Sequence, residues 1–381
     1  MDVNRERLAA NFIELCEIDS PSRKERRMLE RLRAIFTELG AVAIMEDDSA
    51  ARTGSDCGNL IVRFDGSLDL PPIFFSCHMD TVLPAEGVKV KRIGDLFTSA
   101  GETILGSDDK SGIAGCIEAL RLVREGNVPI RPLELVITTC EEIGLIGAKA
   151  LDPSLVTAKE GYALDSTGFA KVVTHAPALN RITITLQGVA AHAGLHPEWG
   201  VNALVLAGQA LAKVPTGRID EETTVNFGTI QGGAASNIVP EKVVIEAEVR
   251  SHSMEKLAKV TEEIGAVFKA AVADWSDPTG SAKGAPKVDI EVRQDFAAMQ
   301  LNPEDAVLRR VAAAARSIGM ELTYEKAGGG SDANVFNGNG LATAIVATGM
   351  TNVHSTNEQV ELQDMVDLTR LLVALLTETS C

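Results

Sequence analysis

Ile73-Phe74-Phe75-Ser76-Cys77-His78-Met79-Asp80-Thr81 is the stretch on which the reading of the chain turns. Its opening apolar run is short and aromatic, the pattern of a buried strand. Side chains two apart on an extended chain leave the same face, so His78 and Asp80 are expected side by side at the strand's end. Imidazole is a common metal ligand, and a carboxylate beside it can fix its tautomer or orient a neighbour. Alone, a His-x-Asp pair at a strand end fits a structural hydrogen bond equally well.

The segments on either side give the pair its context. Leu60 to Phe64 and Leu133 to Cys140 read as further buried strands, and Tyr162-Ala163-Leu164 as a short one ending in Asp165. Helical periodicity covers 5–17, with Leu8, Phe12, Leu15 and Cys16 on one face, and again Gly112 to Val123. Ser22 with Glu25 has the spacing of a capping box for a helix running to Leu39 and closed by Gly40. Near-continuously apolar strands alternating with helices predict an α/β domain, its sheet mostly parallel with helices on both faces.

The pattern changes near residue 178. Arg181 to Gln187 alternates polar and apolar strictly, as a half-exposed antiparallel strand does. A helix at 202–214, strands at 224–230 and 241–250, a helix at 254–274 and a strand near 288–293 complete a β-α-β-β-α-β, ferredoxin-like order. Asn302-Pro303-Glu304-Asp305 then caps a helix ending at Gly319, and the buried run Ala342 to Ala347 restores the α/β style. The expectation is a discontinuous domain of 1–177 and 295–381, with 178–294 inserted into it as a one-sided sheet suited to dimerisation.

Composition narrows the class. Of 381 residues 45% are hydrophobic and 23% charged, ordinary for a globular protein of about two domains, and the formal net charge is −17. That charge argues against nucleic acid and anionic membrane as partners. No apolar run approaches the roughly 20 residues of a membrane helix. The first residues lack an apolar signal core, and the six scattered cysteines include no Cys-x-x-Cys, so a reducing, cytoplasmic location is expected.

Acidic residues and histidines recur where strands end. Glu141-Glu142 follows Leu133 to Cys140, Asp165 follows Tyr162 to Leu164, and His354 lies in the loop after Ala347. In open α/β sheets sites form outside the carboxyl ends of strands, so these groups are expected on one rim with His78. Gly106-Ser107-Asp108-Asp109-Lys110-Ser111-Gly112 opens a helix between glycines that permit a backbone a Cβ would obstruct; its acids either serve the site or merely complement the helix dipole. A donor set of His and carboxylates without thiolates suits zinc, with manganese or cobalt also compatible. Of two vicinal glutamates, one can bind metal while the other acts as a base.

With these motifs in order, the chain resembles the M20 family of co-catalytic zinc peptidases, most of all its peptidase T (tripeptide aminopeptidase) branch. The likeness rests on Ser76 to Val82, Leu105 to Gly112, Cys140 to Gly144, Ala163 to Ser166 and Asn352 to Ser355, which span most of the chain in family order. It implies two divalent metal ions, with Asp108 bridging them, His78 and Asp165 completing one site, and Glu142 and His354 the other. It further implies Glu141 as general base, Asp80 as the group orienting His78, and a cis peptide after Asp108.

The inserted segment corresponds to the family's lid and dimerisation domain, so the resemblance implies a homodimer. His192, in Gly188 to Gly194, matches the lid histidine that stabilises the oxyanion, with His196 nearby as its competitor. Asn237 and Arg250 resemble the branch's binders of the substrate's terminal carboxylate, which a guanidinium grips bidentately. Gly328-Gly329-Gly330-Ser331-Asp332 is expected on the same rim. The implied activity is removal of the N-terminal residue from short peptides, Asp165 standing where many family carboxypeptidases and deacylases carry Glu. An N-acyl-amino-acid amidohydrolase or carboxypeptidase would use the same machinery, and a non-catalytic binder would have lost the base or ligands.

Overall fold

The computed structural model describes residues 2–379. They form two compact units, one of residues up to Ala176 and from Met299 onward, the other of Pro177–Ala298.

In the first unit, four parallel strands make the centre of the sheet: Leu133–Thr138, Ile73–His78, Glu160–Ser166 and Ala342–Ala347, adjacent in that order. Antiparallel strands flank them, Leu60–Phe64 and Ala43–Glu46 on one side, Lys171–Ala176 and Met299–Gln300 on the other. Thr323–Lys326 runs parallel to 171–176. Burial on both faces explains why these strands read as continuous apolar runs. Ile73, Phe75 and Cys77 join the core built with the helices Arg5–Cys16, Arg26–Glu38, Ser107–Glu125, Ala306–Ser317 and Leu362–Thr377. Phe74 faces the other way and meets Phe336 edge-on at 5.4 Å, beside the helices Ile146–Ala150 and Asp332–Gly338. Each phenylalanine so buried contributes about 1.5–3 kcal/mol.

The capping box expected at Ser22 does not form. Glu25 caps Arg26–Glu38 without a side-chain bond, and the Ser22 hydroxyl donates instead to Asp80 at 2.6 Å. The far end is as predicted: Gly40 (φ +73°) takes the left-handed turn while Ala41 N–H reaches Phe36 O and Gly40 N–H reaches Thr37 O. The final helix and a small sheet of Gln359–Glu361, Leu96–Ser99 and Val90–Ile93 were not anticipated from the sequence.

The second unit has strands Ala178–Gln187, Thr223–Gly232, Lys242–Ser251 and Lys287–Phe296, with helices Ala203–Leu211 and Met254–Ala273 between them, a βαββαβ order. All neighbours are antiparallel, in the spatial order 217–218, 223–232, 242–251, 178–187, 287–296, the first a two-residue edge strand. Ile182, Ile184 and Leu186 are fully buried against the helices while Arg181 and Gln187 are exposed, the alternation read from the sequence.

Candidate metal centre

The parallel strands deliver their last residues to one rim. Ile73–His78 and Leu133–Thr138 pair in register, so His78 lies opposite Thr138 and the Glu141-Glu142 pair follows three residues on. Cys140, at φ +55°, reverses the chain there. That turn is held from outside itself. Asp80 accepts Glu141 N–H at 2.9 Å on one carboxylate oxygen and Glu142 N–H at 3.2 Å on the other, and Glu25 accepts Cys140 N–H at 3.1 Å. His354 also has a left-handed backbone (φ +59°), a conformation that clusters at functional sites.

Asp108 faces both imidazoles. Its Oδ1 is 3.0 Å from His78 Nε2 and its Oδ2 is 3.3 Å from His354 Nε2. His78 Nε2 lies 3.9 Å from Asp165 Oδ1, and His354 Nε2 lies 2.9 Å from Glu142 Oε2. The five residues thus make two half-circles that share one carboxylate. His78 Nδ1 is fixed by the main-chain carbonyl of Asp80 at 2.9 Å, closer than the Asp80 carboxylate at 3.6 Å. Asp80 therefore serves the site twice, through its carbonyl on His78 and its carboxylate on the glutamate turn.

The Asp108–Asp109 peptide is cis, and non-helical angles at both residues break the start of Ser107–Glu125. Gly112 lets this helix approach the neighbouring strand, since a Cβ there would lie 2.8 Å from Leu164 O. A cleft of about 310 Å³ opens beside Asp108, Glu141, Glu142, Asp165 and His354, with Gly329-Gly330-Ser331 on its wall.

The electrostatics ask for a cation. Burial pushes Glu141 and Asp165 well above the usual carboxylate range, and each is raised further by acidic neighbours. Burial also raises Glu142, in part offset by its bond to His354. Burial acts against Asp108 too, but His354 and His78 hold it below the ordinary value. Burial would lower His78, yet its contacts with Asp108 and Asp80 raise it. Two imidazoles do not neutralise this many carboxylates.

The donors themselves fit a metal. Atoms of His78, Asp108 and Glu142 lie within 4.8 Å of one another, and Glu142 Oε1 is buried with no hydrogen-bond partner among the described residues. Cys77 and Cys140 do not compete, since burial pushes both thiols up and keeps them protonated. Nitrogen and oxygen donors converging without a counter-charge fit a divalent cation. Glu141 is on the cleft, and its carboxyl makes no hydrogen bond among the described residues.

One supporting residue, Glu358, escaped the sequence reading. Glu358 is buried, and its carboxylate accepts Leu105 N–H and Gly106 N–H, both at 2.8 Å, on one oxygen. Its other oxygen accepts the Ser107 hydroxyl at 2.6 Å and Asp108 N–H at 3.0 Å. The signal available was its place four residues after His354 in an otherwise polar loop. Asp332 accepts the Thr138 hydroxyl on one oxygen, and its other oxygen is buried without a partner among the described residues; burial lifts its pKa to about 6.

The remaining predicted residues belong to the second unit. His192 Nδ1 accepts Gly194 N–H and Leu195 N–H, each at 3.2 Å. That leaves the proton of the neutral ring on Nε2, as a donor from an exposed side chain. His196 is engaged otherwise, 3.1 Å from Glu198 and stacked on Trp199 at 3.7 Å. Asn237 is exposed and its carbonyl accepts Ala193 N–H. Arg250 pairs with Glu248 through Nε at 2.9 Å and Nη2 at 3.3 Å.

Residues 74–378 match the model of peptidase family M20/M25/M40. An uncharacterised Bacillus subtilis (strain 168) protein, YqjE, is 39% identical over 99% of this chain and 100% of its own. A peptidase T of Edwardsiella ictaluri (strain 93-146) is 26% identical, covering 87% of this chain and 86% of its own. Among solved structures, an aminopeptidase PepT from Bacillus cereus ATCC 10987 superposes with a TM-score of 0.88 at 39% identity, over 98% of each chain. A tripeptidase from Staphylococcus aureus subsp. aureus mu50 does so at 0.91 and 32%, over 99% of each. The chain therefore belongs to peptidase family M20/M25/M40, within which it is a peptidase T-like metallopeptidase.

Proposed function

We propose that the chain is an aminopeptidase that removes the N-terminal residue from short peptides at a centre holding two divalent ions, zinc in the first instance. The observation that carries this reading is the sharing of Asp108, one oxygen towards His78 and the other towards His354. His78, Asp108 and Asp165 would hold one ion, and Asp108, Glu142 and His354 the other. Bound ions of this kind acidify a water and polarise the scissile carbonyl.

The chain's own groups supply the proton chemistry. Glu141 takes the proton of the attacking water on its carboxylate and returns it to the leaving amine. Glu141 lines the cleft beside the proposed ligands, where its carboxylate can take a proton and release it within one turnover. Asp80 keeps Glu141 in place through its N–H, and keeps His78 turned through the carbonyl. His192, with Nε2–H outward, donates to the developing oxyanion. Asn237 and Arg250 receive the peptide's terminal carboxylate, for which Arg250 exchanges its internal partner Glu248.

The unit of 177–298 serves as lid and as the surface of a homodimer. In support, the strand Thr223–Gly232, covered by Gly217–Arg218 only at Thr224 and Val225, is exposed along 228–232, and Ile230, Val205 and Leu195 are exposed hydrophobics on the same unit. Among the described residues no helix is long and apolar enough to cross a membrane and the five cysteines are free, in keeping with a cytoplasmic enzyme.

The test is a panel of di- and tripeptides with free N-termini beside N-acetyl amino acids. Release of the N-terminal residue, abolished by chelation, is expected. Cleavage confined to the N-acetyl substrates would replace the aminopeptidase reading with an amidohydrolase.

A further inference from the structure

A cavity of about 730 Å³ lies within the first unit, more than twice the volume of the cleft beside Glu141. The helix Ala306–Ser317 forms one wall, and the sheet margin of Lys171–Ala176 and Thr323–Lys326 the other. It shares no lining residue with the metal cleft.

Arg309, Ala312, Ala313 and Arg316 line the helix wall. Spacings of three, four and seven keep them on one face. The two alanines leave room between the arginines, whose Cα atoms are about 10 Å apart along the axis at 1.5 Å per residue. Among the described residues neither guanidinium has an ion pair or hydrogen bond. The next residue shows the contrast: Arg310 is buried and pairs with Glu160 at 2.9 Å.

Across the cavity stand Tyr324 and His175, over an apolar base that includes Leu301 and Leu308. Tyr324 is 49% exposed; the part that packs inward raises its hydroxyl pKa, and Arg316 is close enough to oppose that shift. Burial, then Lys326, lowers the pKa of His175. No acidic residue lines the cavity among the described residues. In a chain with 53 acidic residues and a net charge of −17, two arginines without an acidic partner stand out over one apolar groove, although both, like Tyr324, are exposed to solvent. A guanidinium there has only water to bind, and an anion with an apolar body would satisfy both charge and surface.

We propose that this cavity is a second binding site, taking a small aromatic anion. Its ring packs on the face of Ala312 and Ala313 towards Tyr324, and its charged group is held by Arg309 and Arg316. The inference is independent of the reaction at the metal centre, because it uses none of the residues there.

The test uses the metal-loaded full chain and two fluorescent probes with the same aromatic body, 8-anilinonaphthalene-1-sulfonate and its uncharged counterpart N-phenyl-1-naphthylamine. The sulfonate is expected to bind at least tenfold more tightly. The double variant Arg309→Gln/Arg316→Gln should remove that preference and leave binding of the neutral probe and peptidase turnover as they were. Arg309→Lys/Arg316→Lys should restore much of the preference, which a structural role alone would not produce. Displacement by 1-naphthyl phosphate or by 1-naphthylacetate supports the site and tells phosphate from carboxylate as its preferred group. Equal binding of the two probes, a preference unaffected by the Gln pair, or displacement by neither anion overturns the proposal.

Discussion

Glu358→Gln isolates one carboxylate that organises the loop carrying Asp108. The native side chain accepts four hydrogen bonds, from Leu105 N–H, Gly106 N–H, the Ser107 hydroxyl and Asp108 N–H. A glutamine has one acceptor oxygen. Its best placement keeps that oxygen on Leu105 and Gly106 and turns the NH2 towards Ser107, whose hydroxyl can accept. Asp108 N–H is then left facing a donor, and a buried donor without a partner costs about 1–3 kcal/mol. The three remaining contacts fall from charge-assisted to neutral strength, about half, a further loss of about 2 kcal/mol. The amide is cheaper to bury than the carboxylate, which offsets part of this. The net expectation is about 2–4 kcal/mol of stability in the metal-free protein, measured by urea unfolding after chelation. Because the freed amide belongs to Asp108, metal affinity should also fall about 10–100-fold, as when other residues that orient ligands are removed. An unfolding midpoint and a metal-binding isotherm both equal to wild type would refute the reasoning.

Glu141→Ala removes the proton carrier but no proposed ligand, so turnover should drop about 10²–10⁴-fold while metal content measured by atomic emission stays at wild type. Chelation should abolish peptidase activity and lower the thermal midpoint, since a metal at one hundred times its dissociation constant adds about 2.7 kcal/mol; re-addition of zinc should restore both. Asp364 opens the final helix Leu362–Thr377, and burial, with Glu361 and Asp367, raises its pKa to about 6. A carboxyl whose folded pKa is raised contributes stability below about pH 4 that is lost as pH climbs through about 6. Asp364→Asn should therefore stabilise the protein at pH 7.5 and change little at pH 4. The gain should be about 1 kcal/mol, well under the full linkage value because the side chain is partly exposed and solvent screens it, as read from unfolding midpoints at the two pH values.

Much of this architecture was legible because its signals are local. Alternation along Arg181 to Gln187 and continuous apolarity along Leu133 to Thr138 each report how many faces a strand buries. The acids and histidines that meet at the rim were found because parallel strands must send their carboxyl ends to the same side. What failed to show was settled by partners distant in sequence. Ser22 and Glu25 carry the letters of a capping box, but Asp80 and Cys140 claim their side chains. Asp80 read as a partner of His78, yet its carboxylate is spent on the backbone of Glu141 and Glu142, a contact no spacing encodes. Glu358 had only its place four residues after His354 to mark it, because its four donors come from a loop some 250 residues earlier. The helix Leu362–Thr377 was passed over although Leu368, Leu371, Leu372 and Leu375 give it a periodic apolar face.

The sharing of Asp108 between two ions is tested most directly by anomalous diffraction at the zinc edge from crystals grown with zinc. It predicts two peaks flanking the Asp108 carboxylate, one reached by His78 and Asp165 and the other by Glu142 and His354. A single peak, or peaks that leave Asp108 outside their coordination, would contradict it.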